Sequence, residues 1–200
     1  MERCNPCPLP MTAHTRLTKR MCPDKPNASL QLRFREIVGC LQWLSTMTRP
    51  DISFATAELA RFMQNPGKEH LDAAHQVLRY LKGTRELGLT FTRAAGLQLV
   101  GFSDSDWASC SDTRRSVSGF VFKLCGAAVS WKCKRQPIVA LSTTEAEYIA
   151  ASQAAQEAIY LRRLLTEMWE LQEEACPLYE DNEGCIALGD NPIARDRTKH

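Results

Sequence analysis

The sequence predicts an α/β fold in which a mixed β-sheet is flanked by helices and preceded by a smaller helical segment. Helical patterns fill residues 33–82, β-type runs follow between residues 87 and 133, and a long helix, a short strand and a short helix come last. Consecutive strands followed by a helix and a further strand are typical of a sheet of mixed direction with helices packed against it.

The first 30 residues are rich in proline and predict an extended arm. Cys4, Cys7, His14 and Cys22 offer an alternative interpretation as a zinc site, because Cys-x-x-Cys is a common half-site. The spacing between the two halves fits no usual zinc motif closely, so the extended arm is preferred.

Apolar residues then recur at helical spacing. One helix is predicted over residues 33–47, and the following TRPD sequence ends it and begins a second over residues 51–63, because proline is tolerated at the first helical position. A third helix is predicted over residues 68–82, with Gly83 just past its end. Three such amphipathic helices can bury one another.

The second half of the chain begins with strand patterns. The predicted strands cover residues 87–92, 97–104, 119–124 and 127–133. The last two are separated by Cys125 and Gly126, a two-residue turn that is typical of a hairpin. The remaining predicted elements are a long helix over 143–171, a short strand over 177–181 and a short helix over 182–188 that ends at Gly189.

The composition is ordinary for a globular protein. The chain has 200 residues, 44% of them hydrophobic, and its net charge of +2 is too small to indicate a polyanion partner by itself. No apolar run reaches the roughly 18 residues of a membrane span, and the N-terminus lacks the pattern of a signal peptide. We therefore expect an intracellular protein whose nine cysteines are reduced.

Acidic residues stand where these predicted elements begin or end. Asp104 and Asp106 follow an apolar strand, and Asp181 ends the last strand, so they are candidates for metal or acid–base chemistry. Asp104 is preferred because it lies nearer the firm part of the strand, whereas we expect Asp106 in the following loop. A turn around Asp104 and a capping turn around Asp181 are the structural alternatives.

Two glutamates near the start of the long helix have different predicted roles. Ser142 and Glu145 fit a capping box. Glu147 lies roughly 200° further around the helix, on the apolar side that we expect to face the sheet. That side also carries Ala150, Ala154, Leu161, Leu165 and Met168. A carboxylate buried there needs a partner, either a metal ion or, alternatively, a lysine or arginine.

Three carboxylates brought together from three elements repel one another, and divalent cations relieve that repulsion. Hard oxygen ligands select Mg²⁺ or Mn²⁺, and a pair of such ions can activate water and stabilise the leaving oxygen of a phosphodiester. Basic and aromatic side chains that can hold a phosphate backbone stand nearby in the sequence, with a solvated charged turn as the alternative. They are Arg114, Arg115, Trp131, Lys132, Lys134 and Arg135.

These motifs carry a resemblance to a known family. GFSDSDWASCSDTRRSVSGFVF, VSWKCKRQPIVALSTTEAEYIAASQAAQEAIYLRRLL, LYEDNEGCIAL and NPIARDRTKH resemble the ribonuclease H region of copia-type LTR-retrotransposon Pol polyproteins. Upstream, TRPDISFATAELARFMQNPGKEH and VLRYLKGT resemble the segment that joins the reverse transcriptase to that region. The resemblance implies a reverse transcriptase tail or helical connection segment over residues 1–95 and a ribonuclease H-like domain over residues 96–200.

The resemblance also implies an activity, namely hydrolysis of the RNA strand of RNA–DNA hybrids during reverse transcription, with two Mg²⁺ or Mn²⁺ ions. Asp104, Glu147 and Asp181 match the catalytic, metal-binding carboxylates. The implied partners are the hybrid and the remainder of the Pol polyprotein, including its reverse transcriptase, in a cytoplasmic virus-like particle or the nucleus. No Asp-Asp pair occurs, so DNA synthesis is not expected.

The family pattern also predicts a fourth acid shortly after the TKH motif, and the sequence ends at His200. The expected fold is therefore a ribonuclease H-like sheet truncated at its C-terminal end. Two alternatives follow. One is a catalytically dead fragment that keeps only nucleic-acid binding or a structural role, and the other is an interaction fragment that uses the helical half.

Overall fold

A computed structural model describes residues 4–12, 15–168 and 174–190. The chain divides into two compact units, Met1–Leu89 and Thr90–His200, and each has its own buried cluster of apolar side chains. In the described ranges, no helix combines the length and the apolar character needed to cross a bilayer.

The first unit contains the three expected helices, α1 (Ala28–Met47), α2 (Ser53–Ala60) and α3 (Lys68–Gly83). Helix α1 begins five residues earlier than its apolar pattern indicates, because the Asn27 side chain caps it by accepting a hydrogen bond from the Leu30 N–H (3.1 Å). Helix α2 is shorter than predicted, since Pro50 opens a 3₁₀ turn before it. The fully buried residues at the centre of this unit include Phe34, Val38, Leu41, Ile52, Leu59 and Val77.

The TRPD sequence holds this unit together through a buried arginine. Arg49 is 7% exposed and binds both carboxylate oxygens of Asp51, at 2.9 and 2.7 Å. Its guanidinium also donates to the Thr84 carbonyl (3.0 Å), and the Tyr80 hydroxyl donates to Asp51 (2.8 Å). This network raises the pKa of Arg49, chiefly through the hydrogen bond to Asp51, so the charge pair is maintained despite its burial.

The second unit is an α/β arrangement around a four-stranded mixed sheet, as the sequence predicts. The strands are β1 (Val100–Asp106), β2 (Val117–Leu124), β3 (Ala127–Arg135) and β4 (Leu178–Tyr179). Their order is β3-β2-β1-β4, with β1 antiparallel to β2, β2 antiparallel to β3, and β1 parallel to β4. The predicted hairpin is confirmed, since Cys125 and Gly126 both have positive φ (51° and 83°), as a type I′ turn requires.

The strand predicted over residues 87–92 is wrong. These residues form no strand, and all of them except Leu89 are exposed. The alternating pattern finds no neighbouring strand to pair with, and the Thr92 N–H donates instead to the carbonyl of Cys125 in the hairpin turn (2.8 Å).

Two helices complete the second unit, α4 (Thr143–Glu167) and α5 (Glu183–Asp190). The apolar side of α4 packs on the sheet as expected, with Ala154, Leu161 and Leu165 clustered against Leu99 and Phe122. Met168 was expected on this side but is 62% exposed, because it lies just beyond the last helical turn. The predicted continuation over residues 169–171 falls outside the described residues.

Candidate metal centre

The three predicted carboxylates lie together at one end of the sheet. One oxygen from each of Asp104, Glu147 and Asp181 lies within 4.8 Å of the other two. Asp104 and Asp181 are exposed and Glu147 is buried. Among the described residues, no other group of three acidic, histidine or cysteine side chains comes this close.

Strand pairing explains why the two aspartates meet. In the parallel ladder Phe102 stands opposite Tyr179, and their rings stack at 5.2 Å between centroids. Asp104 and Asp181 each lie two residues further along their chains, so the parallel register brings them to the same end and the same face. Asn182 then caps α5, because its side-chain oxygen accepts a hydrogen bond from the Cys185 N–H (2.9 Å).

The start of α4 places the third acid. The Ser142 hydroxyl accepts from the Glu145 N–H (3.1 Å), as the capping box predicts, whereas the Glu145 carboxylate accepts from the N–H of Leu141 (2.6 Å) rather than that of Ser142. Glu145 is therefore occupied at the cap, and Glu147, two residues on, is carried to the buried side. The Trp107 indole N–H donates to the Ala140 carbonyl (3.2 Å) and ties the end of β1 to the segment before this cap.

Glu147 is in an unfavourable environment for a charged group. Burial first, and then the negative charges of Glu180, Asp104 and Asp181, together raise its pKa to about 8. Its Oε2 atom is buried and has no hydrogen-bond partner among the described residues. No lysine or arginine of the described ranges pairs with it, so the alternative of a basic partner is not what the structure shows.

A further acid, Glu180, belongs to this environment and was not singled out from the sequence. The Ser103 hydroxyl donates to Glu180 Oε2 (2.7 Å), and after burial the negative charge of Glu180 is the largest cause of the raised pKa of Glu147. The available signal was its position directly before Asp181 at a strand end. Cys185 lies in the same surroundings, where burial and the charges of Glu180 and Glu147 raise the pKa of its thiol to about 11.

The structure corrects the reason given for preferring Asp104 over Asp106. Strand β1 does not end before Asp106, which pairs with Val117 as the last residue of the ladder. Both aspartates have the same strand parity and both are exposed, but only Asp104 belongs to the three-carboxylate group.

The six predicted nucleic-acid-binding residues do not form one patch. Along β3, Lys132 and Lys134 alternate with Trp131 and therefore lie on the opposite face of the sheet from it. The Arg135 guanidinium donates to the Cys110 sulfur, with 3.6 Å between Nη1 and Sγ. Arg114, which is exposed with a φ of 55°, and the half-buried Arg115 both lie in the connection between β1 and β2. Their binding role stays a prediction.

The cysteines are spread over both units of the chain. All nine cysteines lie in the described residues, and no disulfide joins any two of them, whereas their redox state stays a prediction. Cys4, Cys7 and Cys22 are half-buried and form no metal-binding group within the described residues, whereas His14 lies outside those residues.

Comparison with known proteins identifies relatives among transposons. The chain is 41% identical over 204 residues to the Retrovirus-related Pol polyprotein from transposon TNT 1-94 of Nicotiana tabacum, covering all of this chain and 15% of that protein. It is 40% identical over 167 residues to the Retrovirus-related Pol polyprotein from transposon RE1 of Arabidopsis thaliana, covering 84% of this chain and 11% of that protein. The chain thus spans a small part of both polyproteins.

A shorter relative is matched over most of its length. The chain is 50% identical over 124 residues to Secreted RxLR effector protein 161 of Plasmopara viticola, covering 62% of this chain and 87% of that protein. No protein-family model matches the chain. No solved structure matches it either. The chain is thus similar over most of its length to a segment of retrovirus-related Pol polyproteins from plant transposons.

Proposed function

We propose that residues 96–200 form a ribonuclease H-like domain that hydrolyses the RNA strand of RNA–DNA hybrids with Mg²⁺ or Mn²⁺, as a segment of a transposon Pol polyprotein acting beside its reverse transcriptase. The observation that supports this most directly is the convergence of Asp104, Glu147 and Asp181 from three separate elements. The similarity of the chain to segments of transposon Pol polyproteins is compatible with the proposal.

The residues present fit hard divalent cations. The three side chains offer only carboxylate oxygens, which Mg²⁺ and Mn²⁺ prefer. The buried Glu147 Oε2 lacks a hydrogen-bond donor among the described residues, and a cation would satisfy it. When bound, a pair of such ions supplies an activated water and neutralises charge on the leaving oxygen.

The chain itself contributes rigidity and partial exclusion of water. Asp104 is held by the pairing of β1 with β2 and β4, and Glu147 is held by the capped first turn of α4. Ser103 fixes Glu180 beside them. Asp104 and Asp181 are exposed, so a large substrate can reach the site from solvent. Glu147 is buried and forms the inner side of the site. Rigid elements of this kind hold metal ligands more accurately than loops do.

Cleavage of an end-labelled RNA–DNA hybrid by the purified chain, in Mg²⁺ and separately in Mn²⁺, tests this function. We expect the RNA strand to be cut by the wild-type chain and not by Asp104→Asn. The matched control is Asp106→Asn, because Asp106 lies on the same strand and face but outside the carboxylate group. Cleavage retained in Asp104→Asn, or lost equally in Asp106→Asn, would contradict the assignment.

The alternative of a catalytically dead relic predicts a different set of results. A folded wild-type chain that binds the hybrid but leaves the RNA intact in both metals would support the relic. Mn²⁺ binding, followed through its paramagnetic effect on the NMR signals of β1, then shows whether the failure lies in the metal centre or in the later chemistry.

A further inference from the structure

A groove separate from the carboxylates lies between β3 and α4. It encloses about 320 Å³, and its polar walls are formed by Lys132, Lys134 and Arg135 of β3 and by Gln153 and Gln156 of α4. Phe120 and other residues complete its lining. The two lysines face α4 because side chains alternate along β3.

The positive charge in this groove is not neutralised by neighbouring acids. Lys132 and Lys134 are exposed, and the ion pairs found among the described residues, Arg49 with Asp51 and Arg61 with Glu58, lie in the other unit. The acidic residue that lines the groove, Glu157, is held by a hydrogen bond from the Ser130 hydroxyl (2.7 Å). Two exposed lysines therefore face one carboxylate, and Arg135 adds a further positive charge at the end of β3.

Glutamine amides on the opposite wall make the groove suitable for phosphate. Gln153 and Gln156 supply neutral N–H donors from α4 that can complement the ammonium groups of β3. Backbone phosphates are commonly bound by lysine, arginine and glutamine together, in contacts that carry no sequence information.

The groove lies within reach of a duplex held at the carboxylates. Ser105 of β1 stands opposite Ser118 of β2, which stands opposite Lys134 of β3. Neighbouring strands are about 4.8 Å apart, so the β3 backbone lies about 10 Å from β1. That distance corresponds to about three nucleotides along one strand of a duplex, where successive charges are about 3.4 Å apart along the helix axis.

We propose that this groove binds the phosphodiester backbone of the nucleic-acid substrate at a point away from the cleaved bond. Lys132 and Lys134 contact phosphates there, and Gln153 and Gln156 donate uncharged hydrogen bonds. The identity of the substrate rests on the proposed function, but the binding site is made of residues that the carboxylate group does not use.

Equilibrium binding of a labelled RNA–DNA hybrid in EDTA, which prevents cleavage, measures this contact at several salt concentrations. Lys132→Gln combined with Lys134→Gln should weaken binding on the order of 10–50-fold at 0.1 M salt and reduce the slope of log K against log salt by about 2. Lys132→Arg combined with Lys134→Arg should keep the slope. Lys123→Gln, an exposed lysine outside the groove, should change it little.

The uncharged wall gives an independent readout. Gln153→Ala combined with Gln156→Ala should weaken binding but leave the salt slope unchanged, because no counterion is released by an amide contact. Equal effects of Lys123→Gln and the groove lysine variants would overturn the proposal. The proposal would also be overturned if poly-glutamate or inorganic phosphate displaced the labelled hybrid as effectively as unlabelled nucleic acid does at the same ionic strength. The groove would then bind acidic polypeptide or any anion.

The binding measurement separates this inference from the nuclease. If no RNA is cut but the groove variants bind the hybrid more weakly and with the altered salt dependence described, the binding role of the groove is supported and the nuclease function is refuted. If RNA is cut and the groove variants bind as the wild-type chain does, the groove is refuted and the nuclease stands.

Discussion

Replacing Glu147 by glutamine is expected to stabilise the metal-free protein at neutral pH. The side chain is 6% exposed, and burial together with the neighbouring acids raises its pKa to about 8 from an ordinary value of 4.5. A raised pKa means that the folded state prefers the protonated acid, so this group stabilises the fold below pH 4.5 and that contribution is lost as the pH rises to about 8. At pH 7, folding must protonate a carboxyl that is ionised in the unfolded chain.

The size of the effect follows from the two pKa values. At pH 7, about 2.5 pH units above the pKa of the group in the unfolded chain, its protonation on folding lowers the free energy of unfolding by about 3 kcal/mol. At pH 5 the same calculation gives about 1 kcal/mol or less. Because glutamine has the shape of glutamate without the charge, Glu147→Gln should remove this cost and leave the packing of α4 unchanged.

Urea unfolding in EDTA at pH 5 and pH 7, followed by the amide NMR signals of β1 and β2, measures this difference. The variant should exceed the wild-type chain in free energy of unfolding by about 3 kcal/mol at pH 7, and by much less at pH 5. An equal difference at both pH values, or a carboxyl-carbon NMR titration of Glu147 that places its pKa near 4.5, would refute the reasoning.

Two further variants test the structures on which the site depends. Arg49→Met should destabilise the first unit by about 2–4 kcal/mol in urea unfolding, because Asp51 stays partly buried without its cation. Adding Asp51→Leu should recover much of the lost stability. A double variant as unstable as Arg49→Met would contradict the explanation by an uncompensated charge. Gly101→Ala should destabilise the sheet by about 1–3 kcal/mol, because a Cβ there would overlap the ring of the fully buried Phe122. Gly119→Ala is its control, since that Cβ would come no closer than 3.8 Å to a backbone oxygen of β3; equal losses would argue against the steric explanation.

The elements that the sequence predicted well are those specified by local pattern. The helical period of α3 and the two-residue turn at Cys125 and Gly126 are contained in short stretches of chain, and the structure confirms both. The strand expected over residues 87–92 failed because a strand also needs a partner, which its own sequence does not reveal.

Within the candidate site, the limit of sequence reasoning lies in contacts between distant residues. Asp104 and Asp106 share strand parity, and what distinguishes them is the parallel pairing of β1 with β4, some 75 residues away. Glu180 was missed for the same reason, since its partner Ser103 is 77 residues earlier in the chain. By contrast, the division of Lys132 from Trp131 between two faces follows from simple alternation along β3 and was available from the sequence.

The inward side of β1 shows how the fold accommodates this site. A strand buried under a helix normally presents apolar residues along its whole length, yet the inward-facing residues change from Leu99, just before β1, to Ser103 and Ser105 near the carboxylates. Ser103 binds Glu180, and Ser105 accepts a long hydrogen bond from the buried amide of Gln136 (3.4 Å).

That same amide also donates to Ser118 of β2 (2.8 Å) and to the Ala146 carbonyl in the first turn of α4 (2.9 Å). Gln136 thereby joins both strands to the turn that carries Glu147. Apolar packing is replaced by hydrogen bonds where the acids must be held in place, and this exchange gives up part of the hydrophobic stabilisation of the sheet. A site that is costly in this way, and still keeps an unsatisfied buried carboxylate, could hold a cation, which agrees with the function that we propose.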